Sequence, residues 1–233
     1  MQYIMTKKDR AGQIVQILKT LFPDSKTELD YQKPYELMFA VIMSAQTTDK
    51  QVNTVTPGLF AKYPTLESIA TANQDEFMQD ICRIGLYRGK AKNIIASAKK
   101  LLKEYGGVIP KTIAELIEFP GVARKTANVT LSEVYGINQG IAVDTHVMRL
   151  SQLLGLSKHT DPVHIEQDLM KLFAQEDWRT VSHGLILYGR KYWSAREKIH
   201  VGPLTDYIDA KALKRWFDNK KSTLEKKGAV GKV

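Results

Sequence analysis

The segment FPGVARKTA, residues 119–127, and the later VDTH, residues 143–146, combine a tight turn at a helix start with one lysine and one acid. Backbone N–H groups at a helix start have no partner within the helix, and with Gly121 in the turn they are placed to hold a phosphate oxygen. Lys125 then lies in the first helical turn, beside whatever strand the turn grips. A lysine there has two chemical uses: it contacts phosphate, or, as a neutral amine, it attacks an electrophilic carbon. Partial positive charge at the helix start and partial desolvation both lower an ammonium pKa, as the second use requires, but the sequence pattern alone supports the two uses equally. Asp144 follows the apolar Ile141-Ala-Val143 and precedes THVMRL, so it reads as a helix N-cap. The same carboxylate is able to stabilise developing positive charge or to move protons. The two roles are compatible, because a cap fixes the direction of the carboxylate.

Helical elements are needed to position these groups, and helical periodicity runs along the whole chain. Ile14, Ile17, Leu18 and Leu21 make one apolar stripe that Pro23 stops. Pro34 opens a second helix, YELMFAVIMSAQ, apolar nearly all round and therefore expected at the centre of its domain. Further helices are expected at about 49–62, 66–72, 74–82, 88–104, 112–118 and 123–135, bounded by Pro, Gly, Thr, Asn or Asp. After the loop Gly136–Gly140, a plausible domain seam, the pattern resumes with VDTHVMRLSQLLGL and continues at about 162–174 and 177–192. A short helix with Trp216 and Phe217 then leads into a basic end. No segment alternates as a strand does, and IGLYRGKA and PGVARKTA, though alike, do not make a repeat array.

Thirty-four Lys and Arg against twenty-five Asp and Glu leave a net charge of +9, which favours an acidic polymer or surface as partner. The single cysteine, Cys82, excludes an intramolecular disulfide and any multi-cysteine metal site. No run of eighteen apolar residues occurs, and the first residues lack an uninterrupted apolar stretch, so neither a membrane span nor export is expected. His146 lies two residues from Asp144, but no third ligand joins them, and His159 and His164 fall in a turn that reads as surface, so no metal site is expected.

Four segments, MSAQTTD, IGLYRGKAKNI, LIEFPGVARKTANV and IAVDTH, occur in one order and spacing that resembles the endonuclease III branch of the helix-hairpin-helix DNA glycosylases, over about residues 10–200. The resemblance implies an all-α fold of two helical domains with a DNA cleft between them. One is a six-helix barrel over 27–137 that holds the helix-hairpin-helix at about 113–133. The other is built from 1–26 and 138–233 and ends in a basic tail. Lys125 matches the family's catalytic lysine, which attacks C1′ of a damaged nucleotide, and Asp144 matches its catalytic aspartate. Gln46 matches the residue that fills the gap left by an everted nucleotide, and Leu86 the wedge pushed into the stack opposite, since the target carbon is out of reach inside a duplex. Taken singly, Gln46 also reads as a polar helix end, and Leu86 as a core residue. Gly121, Val122, Ala123 and Arg124 match the DNA-gripping hairpin, where Ala123 replaces the usual glycine and removes easy access to positive φ. The hairpin's carbonyls are also able, in such folds, to hold a monovalent cation. Arg88, Lys90 and Lys92 suit backbone contacts or a solvated helix face equally. Ser44, Thr145 and His146 are expected to line the pocket.

Most members of the family carry four cysteines spaced C-x6-C-x2-C-x5-C that ligate a 4Fe–4S cluster. The frame GRKYWSAREKIHVGPLTDYID is kept here, but the four positions hold Trp193, His200, Pro203 and Asp209. Tryptophan and proline cannot ligate iron, so no cluster is expected, and packing around Tyr192, Trp193 and Trp216 is expected to replace it. Arg190, Lys191, Arg196 and Lys198 keep the basic charge that this region presents to DNA in the family. The activity implied is a bifunctional DNA glycosylase and AP lyase that removes oxidised pyrimidines from duplex DNA in base excision repair, with no cofactor. The expected partner is double-stranded DNA with a damaged base or abasic site, met by a cytoplasmic, DNA-associated monomer. An adenine or mismatch glycosylase of the same fold, and a non-catalytic protein that binds damaged DNA, are the alternatives.

Overall fold

The computed structural model describes residues 5–193 and 202–214. The helices are α1 (Lys7–Leu21), α2 (Pro34–Ser44), α3 (Asp49–Lys62), α4 (Leu66–Ala70), α5 (Gln74–Asp80), α6 (Tyr87–Tyr105), α7 (Ile113–Leu116), α8 (Arg124–Tyr135), α9 (Thr145–Leu153), α10 (Pro162–Leu172) and α11 (Trp178–Lys191). No strand occurs among the described residues. Local chemistry explains the boundaries. The side chains of Thr48, Thr65, Asn73 and Thr112 cap α3, α4, α5 and α7, each accepting from a backbone N–H of the first turn. Pro34 occupies the first turn of α2, where its missing N–H costs nothing. Gly106 and Gly136 close α6 and α8 in the left-handed region, at φ 58° and 66°.

Two compact units result, residues 26–139 and residues 1–25 with 140–233, and the boundary falls inside the Gly136–Gly140 loop. In the first, α2 is buried from Leu37 to Met43, as its all-round apolar sequence suggests, and packs against α3, α6 and α8. Ahead of α2 the extended chain is pinned by Asn53 of α3, whose amide donates to Glu28 O at 2.7 Å and accepts from Asp30 N at 3.1 Å.

The second unit joins α1 to elements from the later part of the chain. Ile14 and Leu18 of α1, Leu150 of α9, Leu169 of α10, Leu185 and Tyr188 of α11, and then Trp193 and Leu204, share one core. Helix α1 lies close on α11 because residue 184 is glycine: a Cβ there would sit 3.2 Å from Leu18 Cβ. The Arg10 guanidinium on the same helix donates to Leu154 O at 3.1 Å.

Candidate active site and nucleic-acid interface

Two turns in unit 26–139 stand out by backbone conformation. Among the described residues, Gln46 and Leu86 are the non-glycines with positive φ, both at 58°. Left-handed backbone costs an L-residue about 1–2 kcal/mol, so two such residues mark places where the surroundings dictate the turn. Gln46 follows the end of α2 and is exposed. Leu86 opens α6 and is 65% exposed, which removes its reading as a core residue. The turns abut: Gly85 N donates to Thr47 Oγ1 at 3.1 Å, and a Cβ on Gly85 would come within 3.2 Å of both Gln46 O and Thr47 Oγ1. Ser44, partly exposed at the end of α2, donates its hydroxyl to Val41 O at 3.0 Å. Of the basic residues after Leu86, Arg88 and Lys92 are exposed, with Arg88 4.9 Å from the Tyr87 ring. Lys90 is 6% exposed, so the expectation that it meets a nucleic-acid backbone fails: its side chain points inward.

The hairpin before α8 is held from below. Gly121 adopts φ 81° and leaves no space for a side chain, since a Cβ would lie 2.9 Å from Asn93 Nδ2. Val122 is buried and its N–H donates to Phe119 O at 3.0 Å, so it serves the turn from inside. Ser97 Oγ donates to Pro120 O at 2.9 Å and Lys100 Nζ to Glu118 O at 3.3 Å. Three carbonyls of the turn thus already accept from protein donors. Ala123 is the N-cap of α8 at φ −87° and ψ 169°. That region is open to any residue, so alanine meets no obstacle and the concern over positive φ at this position does not arise. Having no cap side chain, it leaves the start of α8 uncapped, and Arg124 and Lys125 stand exposed in its first turn. The partly desolvated setting expected for Lys125 is absent from the protein itself.

In the other unit, Asp144 caps α9: its Oδ1 accepts from His146 N and Val147 N, both at 2.8 Å. Oδ2 has no partner among the described residues. The cap expectation is therefore met with one oxygen still available. Thr145 beside it is exposed, while the His146 ring packs where a Cβ on Gly189 would come within 2.6 Å of Nδ1. Arg190 and Lys191 are exposed in the last turn of α11, with Lys191 5.1 Å from the Tyr192 ring. Arg196 and Lys198 lie outside the described residues. Three-dimensional proximity also groups His159, Asp161 and His164, which the sequence showed only as a surface turn. His164 Nδ1 lies 2.7 Å from each Asp161 oxygen, and the His164 backbone N–H, followed by its side chain, holds the Asp161 pKa below its ordinary value.

The positions that would hold a 4Fe–4S cluster do not fit one. Trp193 is fully buried, edge-on to Tyr188 at 5.8 Å, and its carbonyl accepts from Arg149 Nη2. Tyr188 stacks with Tyr192 at 4.8 Å, and its hydroxyl accepts from Leu204 N at 3.0 Å. Asp209 accepts from Ala212 N at 2.6 Å and pairs with Arg10 at 3.5 Å. Pro203 has no donor atom to offer, and His200 and Trp216 lie outside the described residues. Aromatic packing and an ion pair occupy the ground where thiolates would be needed.

The chain and its fold match known proteins. The HhH-GPD family profile, described as a superfamily of base excision DNA repair proteins, covers residues 39–175. Endonuclease III of Synechocystis sp. is 48% identical over 83% of this chain and 89% of its own length. Endonuclease III of Escherichia coli is 36% identical over 82% and 90%. A solved endonuclease III trapped as a covalent intermediate with DNA, an estranged-adenine complex, superposes with a TM-score of 0.82 at 38% identity, over 91% of this chain and 100% of that one. A thermostable thymine-DNA glycosylase shares the fold alone, with a TM-score of 0.71 at 19% identity over 81% and 89%. The turns at Gln46, Leu86 and Lys125 are thus set in a chain that belongs to the HhH-GPD superfamily of base excision DNA repair proteins, in its endonuclease III branch.

Proposed function

We propose that this base excision repair DNA glycosylase is bifunctional, releasing oxidised pyrimidines from duplex DNA and then cutting the strand through a Schiff base on Lys125. The observation that carries the reading is the pair of exposed, left-handed turns at Gln46 and Leu86, joined at Gly85 in the unit that also presents Lys125. Core packing has no use for a leucine 65% exposed in a strained turn, whereas opening a duplex does. An amide entering beside it hydrogen-bonds the orphaned base.

Each step assigns a residue. The uncapped start of α8 receives a phosphate oxygen, and Gly121 permits the close approach. Bound DNA supplies the desolvation that the exposed Lys125 lacks alone. Its neutral Nζ attacks C1′; the C1′–N bond breaks, its electron pair leaves with the base, and the base takes up a proton. The nitrogen's lone pair then forms the C1′=N bond as the C1′–O4′ bond breaks and O4′ takes up a proton, giving an iminium that keeps its one N–H. Removal of a C2′ proton then drives β-elimination, which breaks the bond to the 3′ phosphate oxygen. Asp144 Oδ2 stabilises the oxocarbenium-like charge and carries protons, with Oδ1 fixed by its cap. Arg124, Arg190 and Lys191 contribute charge toward DNA phosphates, Arg196 and Lys198 are assigned the same part from the sequence, and Ser44, Thr145 and His146 remain assigned to the pocket. The cycle uses no iron–sulfur cluster.

Borohydride reduction on duplexes with an abasic site or thymine glycol tests this. Wild type is expected to form a covalent adduct on both. Tight binding of the abasic duplex with no adduct would overturn the lyase assignment in favour of a binding protein.

A further inference from the structure

Lys90 is a buried cation that the mechanism above does not use. Its Nζ donates to Met43 O at 2.7 Å and to Ala45 O at 2.5 Å, and lies 3.3 Å from Thr47 Oγ1. Met43 and Ala45 are at the C-terminal end of α2, where carbonyls run out of partners within the helix. A cation is favoured at that end of a helix and disfavoured at the start of α6, from which Lys90 comes. Burial pushes its pKa below the ordinary lysine value, so placing the ammonium here has a cost that the carbonyls must offset.

The contacts surround both strained turns. Ala45 and Thr47 flank Gln46, and the backbone N–H of Lys90 donates to Leu86 O at 3.2 Å. Thr47 Oγ1, the third neighbour of the ammonium, is also the acceptor for Gly85 N, one residue before Leu86. One side chain thus reaches the residues on each side of Gln46 while its own backbone holds Leu86. Resting on the duplex-opening role assigned to these turns, we propose that Lys90 is a positioning residue that locks Gln46 and Leu86 into one rigid pair, so that both enter the DNA together when a nucleotide is everted.

The comparison uses Lys90→Met, which keeps the length and removes the donors, Lys90→Arg, which restores them, and Thr47→Val, which removes the shared hydroxyl with little change in volume. Full-length proteins are assayed on thymine glycol in duplex DNA carrying 2-aminopurine beside the lesion, and on an abasic duplex, which has no base to evert. Lys90→Met is expected to slow the 2-aminopurine signal and single-turnover excision about tenfold, while borohydride trapping on the abasic duplex stays within about threefold of wild type. Lys90→Arg recovers part of the loss, and Thr47→Val shows a smaller effect in the same direction. If Lys90→Met does not fold, Thr47→Val carries the test with the same split. An unchanged 2-aminopurine rate, or an equal loss on both substrates, overturns the proposal. Failure of wild type to trap on the abasic duplex instead overturns the lyase reading, and the 2-aminopurine rates still decide whether Lys90 sets eversion.

Discussion

Helices α8 and α9 begin in opposite ways. At α9 the N-cap Asp144 closes the end, taking two first-turn N–H groups on one carboxylate oxygen. At α8 the N-cap is Ala123, which offers no side-chain acceptor. Thr6, Thr48, Thr65, Asn73, Thr112 and Asp161 also accept at helix starts, whereas α2, α6 and α11, like α8, begin without a side-chain cap. An uncapped start forgoes about 1 kcal/mol. On the proposed mechanism, the open start receives an acceptor from outside, a phosphate oxygen, and the closed start aims a carboxylate.

The largest expected effect tests the open start. Lys125→Gln should abolish the borohydride adduct while leaving duplex affinity within a few fold, and an undiminished adduct would show that the nucleophile lies elsewhere. At the closed start, Asp144→Asn keeps a competent cap, so melting should shift by less than about 0.5 kcal/mol while turnover falls about 10²-fold. Asp144→Ala should lose the same turnover and, in addition, about 1 kcal/mol of stability in denaturant titration. Equal stability of the two variants would detach the cap from the chemistry.

A smaller effect comes from closing the open start. Ala123 already has the extended backbone of an N-cap, so Ala123→Ser should gain about 0.5–1 kcal/mol of stability and weaken duplex binding severalfold. A tighter complex would mean that phosphate is not held there. The smallest concerns the exposed cap Asp161, whose pKa lies below its ordinary value chiefly through the His164 N–H. Its contribution is present above the ordinary carboxylate range and is lost as pH falls through the depressed folded value. Asp161→Asn should therefore flatten the acid limb of a stability–pH curve slightly.

Much of this was legible in the residues because helix ends are local matters. Threonine, asparagine and proline at the starts of α2, α3, α5 and α7 predict their boundaries closely, and the all-round apolar α2 predicts its own burial. What escaped was set by contacts distant in sequence. The periodicity of α6 permits a solvated Lys90 as readily as a buried one, and only the end of α2, more than forty residues earlier, decides. Likewise no propensity assigns left-handed backbone to Gln46 and Leu86, since glycine is the residue expected there. Ala123 misled in the reverse sense: its alignment with a glycine suggested a positive φ that the hairpin assigns to Gly121 instead. The His159–Asp161–His164 grouping needed the turn's actual path.

The joining of α1 to α11 also bears on how the chain is made. Residues 26–139 can complete their contacts as soon as they emerge, whereas the apolar stripe of α1 must wait for partners on α9 and α11. Arg10 and the carbonyl it binds on Leu154 are 144 residues apart, roughly ten seconds or more of synthesis at typical rates. Helix α1 therefore waits for partners made much later, while the contacts within the unit bearing Lys125 can form before those of the unit bearing Asp144.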